Sequence, residues 1–480
     1  MKKILAVLLA MAMMLSLLTA CGGSKTDEPA DDATNDAAAS DDAATDEPAD
    51  EPAEETPADD AAEVDSFVMD EPEGEYTELT VWTFIELHQE FYINMAEKWN
   101  EANPDKQVRL TCINMQYDNM HNKLAIALES GNGAPDVVDI EIGKFPAFIN
   151  GATIDLLDLN SYIDPYRDSI VESRMDIYAK DGAAYGYPTH MGTTVAFYNV
   201  ELLEAANIDY TTIKTWEDWK NAGVAYYEAT GKPFSYVETT ASWIINLMLV
   251  QKGGSYFDAE GNPNLTSQEM TDILNFLVEC QETGAFTTIP GGQPDRDEAY
   301  ASFNAGDFAC QIMPFWQTSR FLNYMTDLNG KVEIATVPQW EEGAGVWTIG
   351  GGGTGTAVVS SGPNAELAAE VFAFIKCSSE ASTDIWNVLG FDPINCEVWS
   401  DTSLTQNPDN AYVQYFANAP FDPLVEMQDS IGALTDQTNA YWSDVTNEFC
   451  TVTLYSIFEG GVSVDEALAS SQATVESYVS

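Results

Sequence analysis

Basic side chains are scarce: the 480 residues hold 19 lysines and arginines against 78 aspartates and glutamates, a formal net charge of −59. Phosphates are gripped by Lys and Arg, so nucleic acid and anionic membrane surfaces are excluded as partners. Histidine is nearly missing, with only His88, His121 and His190 present. No Cys-x-x-Cys, His-Glu-x-x-His, Gly-x-Ser-x-Gly or P-loop pattern occurs, which argues against zinc sites, hydrolase elbows and nucleotide cradles. No metal or cofactor is expected. A glycosidase needs only two carboxylates at a set separation, so composition alone does not exclude one. Long apolar runs are also missing, except at the N-terminus.

There Lys2 and Lys3 precede an apolar run from Ile4 to Leu18, broken only by Ser16. As a helix this run rises about 22 Å, short of a hydrocarbon core about 30 Å thick. Residues 1–20 therefore read as a signal peptide. Leu18-Thr19-Ala20-Cys21 resembles the lipobox of bacterial lipoproteins. The resemblance implies that Cys21 carries the lipid and becomes the first residue of the mature chain, since two acyl chains anchor stably where one does not. Residues 22–75 hold 21 acidic residues and a single basic one, Lys25. Few apolar groups and strong self-repulsion make residues 21–75 a disordered acidic linker, spanning on the order of 40 Å as a coil. Such a tether suits a chain held on the extracellular face of a single cell membrane, as in a Gram-positive cell.

From Tyr76 onward 405 residues remain, enough for two cores. They carry 16 basic and 57 acidic residues, which favours neutral or cationic ligands. Cys112, Cys280, Cys310, Cys377, Cys396 and Cys450 remain after the anchor. They either pair, in one of about 15 connectivities, or stand as buried free thiols. Asp258 to Glu269 resembles a calcium loop, but Pro263 stands where the sharp turn needs Gly, so a plain turn is favoured.

Leu79 to Phe84 reads as a first strand, Phe91 to Asn100 as a helix ending before Asn103-Pro104, and Val108 to Ile113 as the next strand. Leu124 to Glu129 is helical up to the turn at Gly131-Asn132-Gly133, and Asp136 to Ile140 follows as a buried strand. Strand and helix alternating in this way is a parallel α/β signature. Ligands in such sheets sit outside the carboxyl ends of the strands, so the 84–88 and 141–144 loops fall on one rim.

This order, continued by Gly133-Ala134-Pro135-Asp136-Val137, Tyr185-Gly186-Tyr187-Pro188, Phe197-Tyr198-Asn199, Thr215-Trp216-Glu217-Asp218-Trp219 and Val464-Asp465-Glu466-Ala467-Leu468, resembles family 1 extracellular solute-binding proteins, the sugar-binding subunits of ABC importers. The likeness runs over about residues 79–470, with Asp307 and Cys310 departing from the usual Lys and Ala. It implies a two-lobed, hinged α/β fold, each lobe a sheet flanked by helices. Lobe 1 would comprise residues 76–194 and 350–395, and lobe 2 residues 195–349 and 396–480, with crossings near 193–196, 347–353 and 393–400. It also implies a monomer that captures a mono- or oligosaccharide and delivers it to permease subunits, with no turnover. Polyamine or other small-solute capture on the same fold stays open, as does a surface glycoside hydrolase.

A sugar presents flat C–H faces and a ring of hydroxyls, which call for aromatic platforms edged by carboxylates and amides. Trp316, following Ile312-Met313-Pro314, lies where the family places a stacking aromatic. Glu86 and His88 follow the first strand, Glu141 ends the third, and Tyr185 and His190 precede the first crossing. Trp243, Trp347, Asp392 and Trp442 complete the candidates, whereas Trp99 and Trp219 sit on helical apolar faces and are expected in cores. Gly350 to Gly353 lacks the Gly-Lys ending of a phosphate loop and reads as a hinge or a place of close ligand approach.

Overall fold

The computed structural model describes residues 65–151 and 153–479; the signal segment, Cys21 and most of the acidic linker lie outside them. Two sheets organise the described chain. The first is built from β1 (Asp65–Val68), β2 (Tyr76–Thr83), β3 (Gln107–Asn114), β4 (Val137–Glu141), β5 (Tyr187–Pro188) and β9 (Thr354–Val358), in the order β1-β3-β2-β4-β9-β5. β2 runs parallel to β3 and β4, with Leu79 opposite Leu110 and Val81 between Cys112 and Val137. Helix α1 (Glu86–Ala102) and helix α2 (Tyr117–Ser130) make the crossovers that parallel pairing requires. α1 turns Phe91, Tyr92, Met95 and Trp99 to the core. α2 ends on Gly131 at φ 67°, a left-handed cap that glycine adopts without strain.

The second sheet is antiparallel, with β6 (Thr194–Asn199) between β7 (Cys310–Pro314) and β8 (Val332–Ala335). Every residue of β6 and β7 is buried, which fits their largely apolar run, with Thr194, Asn199 and Gln311 the buried polar exceptions. Around this sheet the helix Trp216–Thr230 starts with the expected capping box, Thr215 and Asp218 each bonding the other's backbone N–H. Trp219 and Trp99 are both core residues.

Two segments join the sheets, residues 189–193 and 350–353, and a third, residues 388–395, runs beside them between two helices. Two of these lie a few residues N-terminal to the crossings expected near 193–196 and 393–400. Thr193 and Gly350 pair as an isolated antiparallel bridge, and the Gly351 N–H donates to the Gly192 carbonyl at 2.8 Å. The third segment is stitched on by Asp392, whose carboxylate accepts the N–H groups of Gly192 at 3.0 Å and Thr193 at 2.8 Å. Buried Arg174 bonds the carbonyl oxygens of His190 and Gly352, one on each of the first two segments.

Beneath the crossings lies a buried polar cluster. The Asp139 carboxylate accepts from Thr83 (2.8 Å), Tyr92 (2.6 Å) and Thr356 (2.7 Å) and pairs with His88 Nδ1 at 2.8 Å. Lys376 Nζ extends it to Tyr92 (3.0 Å) and Thr189 (2.7 Å). Burial alone would raise the Asp139 pKa, but the charge and hydrogen bond of His88, with Lys376 and Tyr92, outweigh it and hold the carboxylate well below its usual range.

One expectation is corrected and one open alternative is resolved. The linker does not extend to residue 75: Asp65–Val68 adds antiparallel to β3, and Met69 is buried with its N–H donating to Leu110 at 2.9 Å. Phe67, Val68 and Met69 give this stretch enough apolar surface to pair at the sheet edge despite the acids on either side. The cysteine question also closes, because all six described cysteines are free and only Cys396 is more than marginally exposed. At Asp258 the side chain accepts the N–H groups of Glu260 and Asn262, a plain turn. Among the described residues no His, Cys, Asp and Glu cluster could hold a metal ion, and no helix is long and apolar enough to cross a membrane.

Candidate functional site

A cleft of about 510 Å³ opens between the carboxyl ends of the first sheet's parallel strands and the loops of the second. Phe84 and Ile85 leave β2, Gln116 and Tyr117 follow β3, and Glu141 ends β4; all five line it. The opposite wall is Trp243, Gln293, Asp295, Arg296, Trp316 and Arg320. The crossings floor it through His190, Gly352, Gly353 and Phe391.

The aromatic wall is fixed from several sides. Trp316 follows the end of β7, and its Nε1 donates to the Gly351 carbonyl at 3.0 Å. Trp243 meets it edge-to-face, centroids 5.5 Å apart at 72°, a favoured aromatic geometry. Gly352 makes this possible: a Cβ there would lie 3.1 Å from Trp316 Nε1 and 3.4 Å from the Trp243 ring. Arg320, one helical turn beyond Trp316, places its guanidinium 5.1 Å from the indole centroid and pairs with Asp295 at 3.1 Å. Tyr300 donates to the same Asp295 oxygen, so the arginine is held in place.

Facing this wall, the Glu141 carboxylate accepts from Tyr117 Oη at 3.0 Å and from the Gly143 N–H at 2.7 Å. Burial raises its pKa despite those bonds. His190 lies against Phe391, centroids 4.7 Å apart. Burial first, and Arg174 second, push its pKa well below the usual value, so it is neutral. Neither of its ring nitrogens has a partner among the described residues, nor has Trp243 Nε1. Buried polar atoms left unpaired cost free energy, which a polar ligand would recover.

The cleft continues in two directions. A recess of about 420 Å³ shares Tyr117, Glu141 and Trp243 and reaches Asn246, Trp442 and Asn447. A groove of about 840 Å³ shares Phe84, Ile85, Asp295 and Arg320 and runs outward past Glu86.

The structure thus brings Trp316, Glu141, His190 and Trp243 into the cleft, Trp442 into the recess and Glu86 into the outer groove. It does not bring the other four there. His88 is wholly buried, turned to Asp139 from the first turn of α1. Tyr185 packs with the core formed by Phe145 and Tyr178. Trp347 donates Nε1 to the Val337 carbonyl at 2.9 Å and packs against the second core. Asp392 is wholly buried as the hinge staple, and burial pushes its carboxyl up to about 6. Sequence reasoning passed over Arg320, although its spacing of four from Trp316 on a helix places the two side chains on one face. Gln293, Asp295 and Arg296 come from a loop with no motif, and Phe391 from the third segment; neither position carries a local signal.

The sequence profile of the family described as bacterial extracellular solute-binding protein matches residues 86–377. An arabinooligosaccharide-binding protein of Halalkalibacterium halodurans is 38% identical over 86% of this chain and 92% of its own length. One of Bacillus subtilis is 39% identical over 75% of this chain and 82% of its own. Among solved structures, an ABC substrate-binding protein from Listeria monocytogenes in complex with cycloalternan superimposes with a TM-score of 0.66 at 19% identity. The match covers 84% of this chain and 99% of that one, and it establishes the two-lobed fold.

Proposed function

We propose that this chain, which belongs to the family of bacterial extracellular solute-binding proteins, captures an oligosaccharide of the arabinose class and delivers it to an ABC-type importer. The observation that carries the reading is the Trp243–Trp316 pair set across the cleft from Glu141, with Arg320 and Gln293 at its edge. Indole faces receive the apolar C–H faces of sugar rings, while the carboxylate and the donors around it take the hydroxyls. The arabinose class follows from the two relatives whose lengths this chain matches. Arg296 and Arg320 stand in the wall beside Asp118, Glu141 and Asp295, a mixed lining and not the acidic aromatic cage that a polyamine calls for.

The lobes would divide as the two sheets do, residues 65–188 and 354–387 in one and 194–349 and 396–479 in the other. Closure is driven by contacts that both lobes make with the same ligand. Cys21 serves as the lipid anchor and the acidic linker as the tether, holding the cleft at the outer face of the membrane within reach of the permease. The ligand is expected to leave intact: of the carboxylates that line the cleft with Glu141, Asp295 is engaged by Arg320 and Tyr300 and Asp118 lies exposed to water.

Calorimetric titration with arabino-oligosaccharides, other glycans and polyamines tests this. We expect an arabino-oligosaccharide to bind most tightly and to be recovered intact, and Trp316→Ala to weaken it about tenfold or more with an unchanged circular-dichroism spectrum. Exclusive binding of a polyamine, or hydrolysis of the glycan, would overturn the reading.

A further inference from the structure

The outer groove, larger than the cleft it joins, contains chemistry that the capture site itself does not use. Its inner end is continuous with the cleft through Phe84, Ile85, Asp295 and Arg320. Its far walls come from opposite sides of the molecule. One is β1, the strand that carries the acidic linker into the fold, and it contributes Phe67 with 48% of its surface exposed. The other is the helix Gln317–Tyr324, whose last residue, Tyr324, is 54% exposed. Tyr324 is stacked on buried Tyr300, ring centroids 5.2 Å apart and planes within 8°. One face of the Tyr324 ring is therefore covered, and its orientation is set from below.

Two exposed aromatic rings flank this channel. Neither is fully covered: Phe67 and Tyr324 leave 48% and 54% of their surfaces to water, apolar area that the C–H face of a ligand can cover. Together with Asn114, Asn323 and Glu86 in the same groove, they make the combination a sugar ring requires, apolar platforms with amide and carboxylate edges. Continuity with the cleft decides the occupant, because anything that fills the groove from its inner end must be attached to what fills the cleft.

We infer that the bound glycan runs out of the cleft past the Arg320–Asp295 pair and lays its outer residues between Phe67 and Tyr324. The end of the tether thus forms part of the binding site and selects for chain length. The inference rests on the capture reading above and adds the length requirement to it. The pairing of Asp65–Val68 to β3 places Phe67 in the same groove as Tyr324.

The test is a calorimetric titration of the full chain with a ladder of arabino-oligosaccharides from the disaccharide upward. The best-binding glycan class of the panel replaces arabinose should another bind more tightly. Affinity should keep rising with length beyond the size that fills the cleft. Phe67→Ala combined with Tyr324→Ala should cost about tenfold for the longest ligands and leave the disaccharide unaffected. Both side chains are exposed, so the fold is expected to survive; Tyr324→Trp, which keeps a platform, should retain the length dependence. A flat length profile, or an equal loss for short and long ligands, would refute the outer groove while leaving capture intact. No binding of any glycan overturns both readings.

Discussion

Lys376 is the only lysine whose side chain is wholly inside the described fold, and its titration can be read out as stability. It is 1% exposed, donates to Tyr92 and Thr189, and lies 4.9 Å from the Tyr92 ring. Burial lowers its pKa more than the neighbouring Asp139 carboxylate raises it, bringing it down to about 8. In the unfolded chain a lysine titrates near 10.4. Between about pH 8 and about pH 10.4 the unfolded chain therefore binds more protons than the folded one, and stability rises with pH. At about 1.4 kcal/mol per unit the gain across this window is about 3 kcal/mol. Lys376→Met keeps the length and the apolar contact of the side chain but cannot titrate. Urea unfolding of both proteins at a series of pH values is the assay. The stability difference, wild type minus variant, should grow by about 3 kcal/mol across the window; tyrosines and thiols titrate in both proteins and cancel. Parallel curves would mean that Lys376 keeps an ordinary pKa inside the fold, and the account of the polar cluster would fail.

Glu238 gives the opposite slope. It is 3% exposed, one carboxylate oxygen has no partner among the described residues, and burial pushes its pKa up to about 8. The folded chain thus keeps a proton that the unfolded chain has lost above about pH 4.3, and stability falls as pH rises towards 8. Glu238→Gln should match the wild type near pH 4 and exceed it at pH 9 by up to about 5 kcal/mol, measured by the same unfolding series. Gly192 sits at φ +68°, and a Cβ would overlap the Gly351 carbonyl oxygen. Gly192→Ala should cost about 2–4 kcal/mol; Gly133→Ala, at φ +78° with nothing within 4 Å, should cost about 1 kcal/mol. Equal losses at the two glycines would show that backbone conformation alone, and not the hinge contact, sets the penalty.

How far the sequence could be read depended on whether a feature was local. Thr215 and Asp218, three apart, announce a cap, and Pro135-Asp136-Val137 announces a buried strand, because both signals lie within one element. Trp316 was accessible on the same terms, as a residue just past a strand end. His88 and Asp392 misled for one physical reason. Each is a polar residue near a loop, and the groups that satisfy them, Asp139 for one and the Gly192 and Thr193 amides for the other, are 51 and about 200 residues away. Asp295 was missed for the same cause, since its loop meets Arg320 only through the second lobe's packing, whereas Arg320 itself was legible from its spacing to Trp316. Asp65–Val68 was hidden by composition, its apolar residues lost among acids when averaged over the linker.

Strand β9 sits between β4 and β5, pairing with both, although more than 200 residues separate it from β4 in the chain. A nascent chain therefore cannot finish its first sheet when residue 188 has emerged. The edge of β4 stays open until the whole second sheet and the 350–353 crossing have followed it through the export channel. Contacts of such long range fold slowly and leave an unpaired strand edge exposed in the meantime. The delay also defers commitment: the first sheet cannot close until most of the chain is available to it.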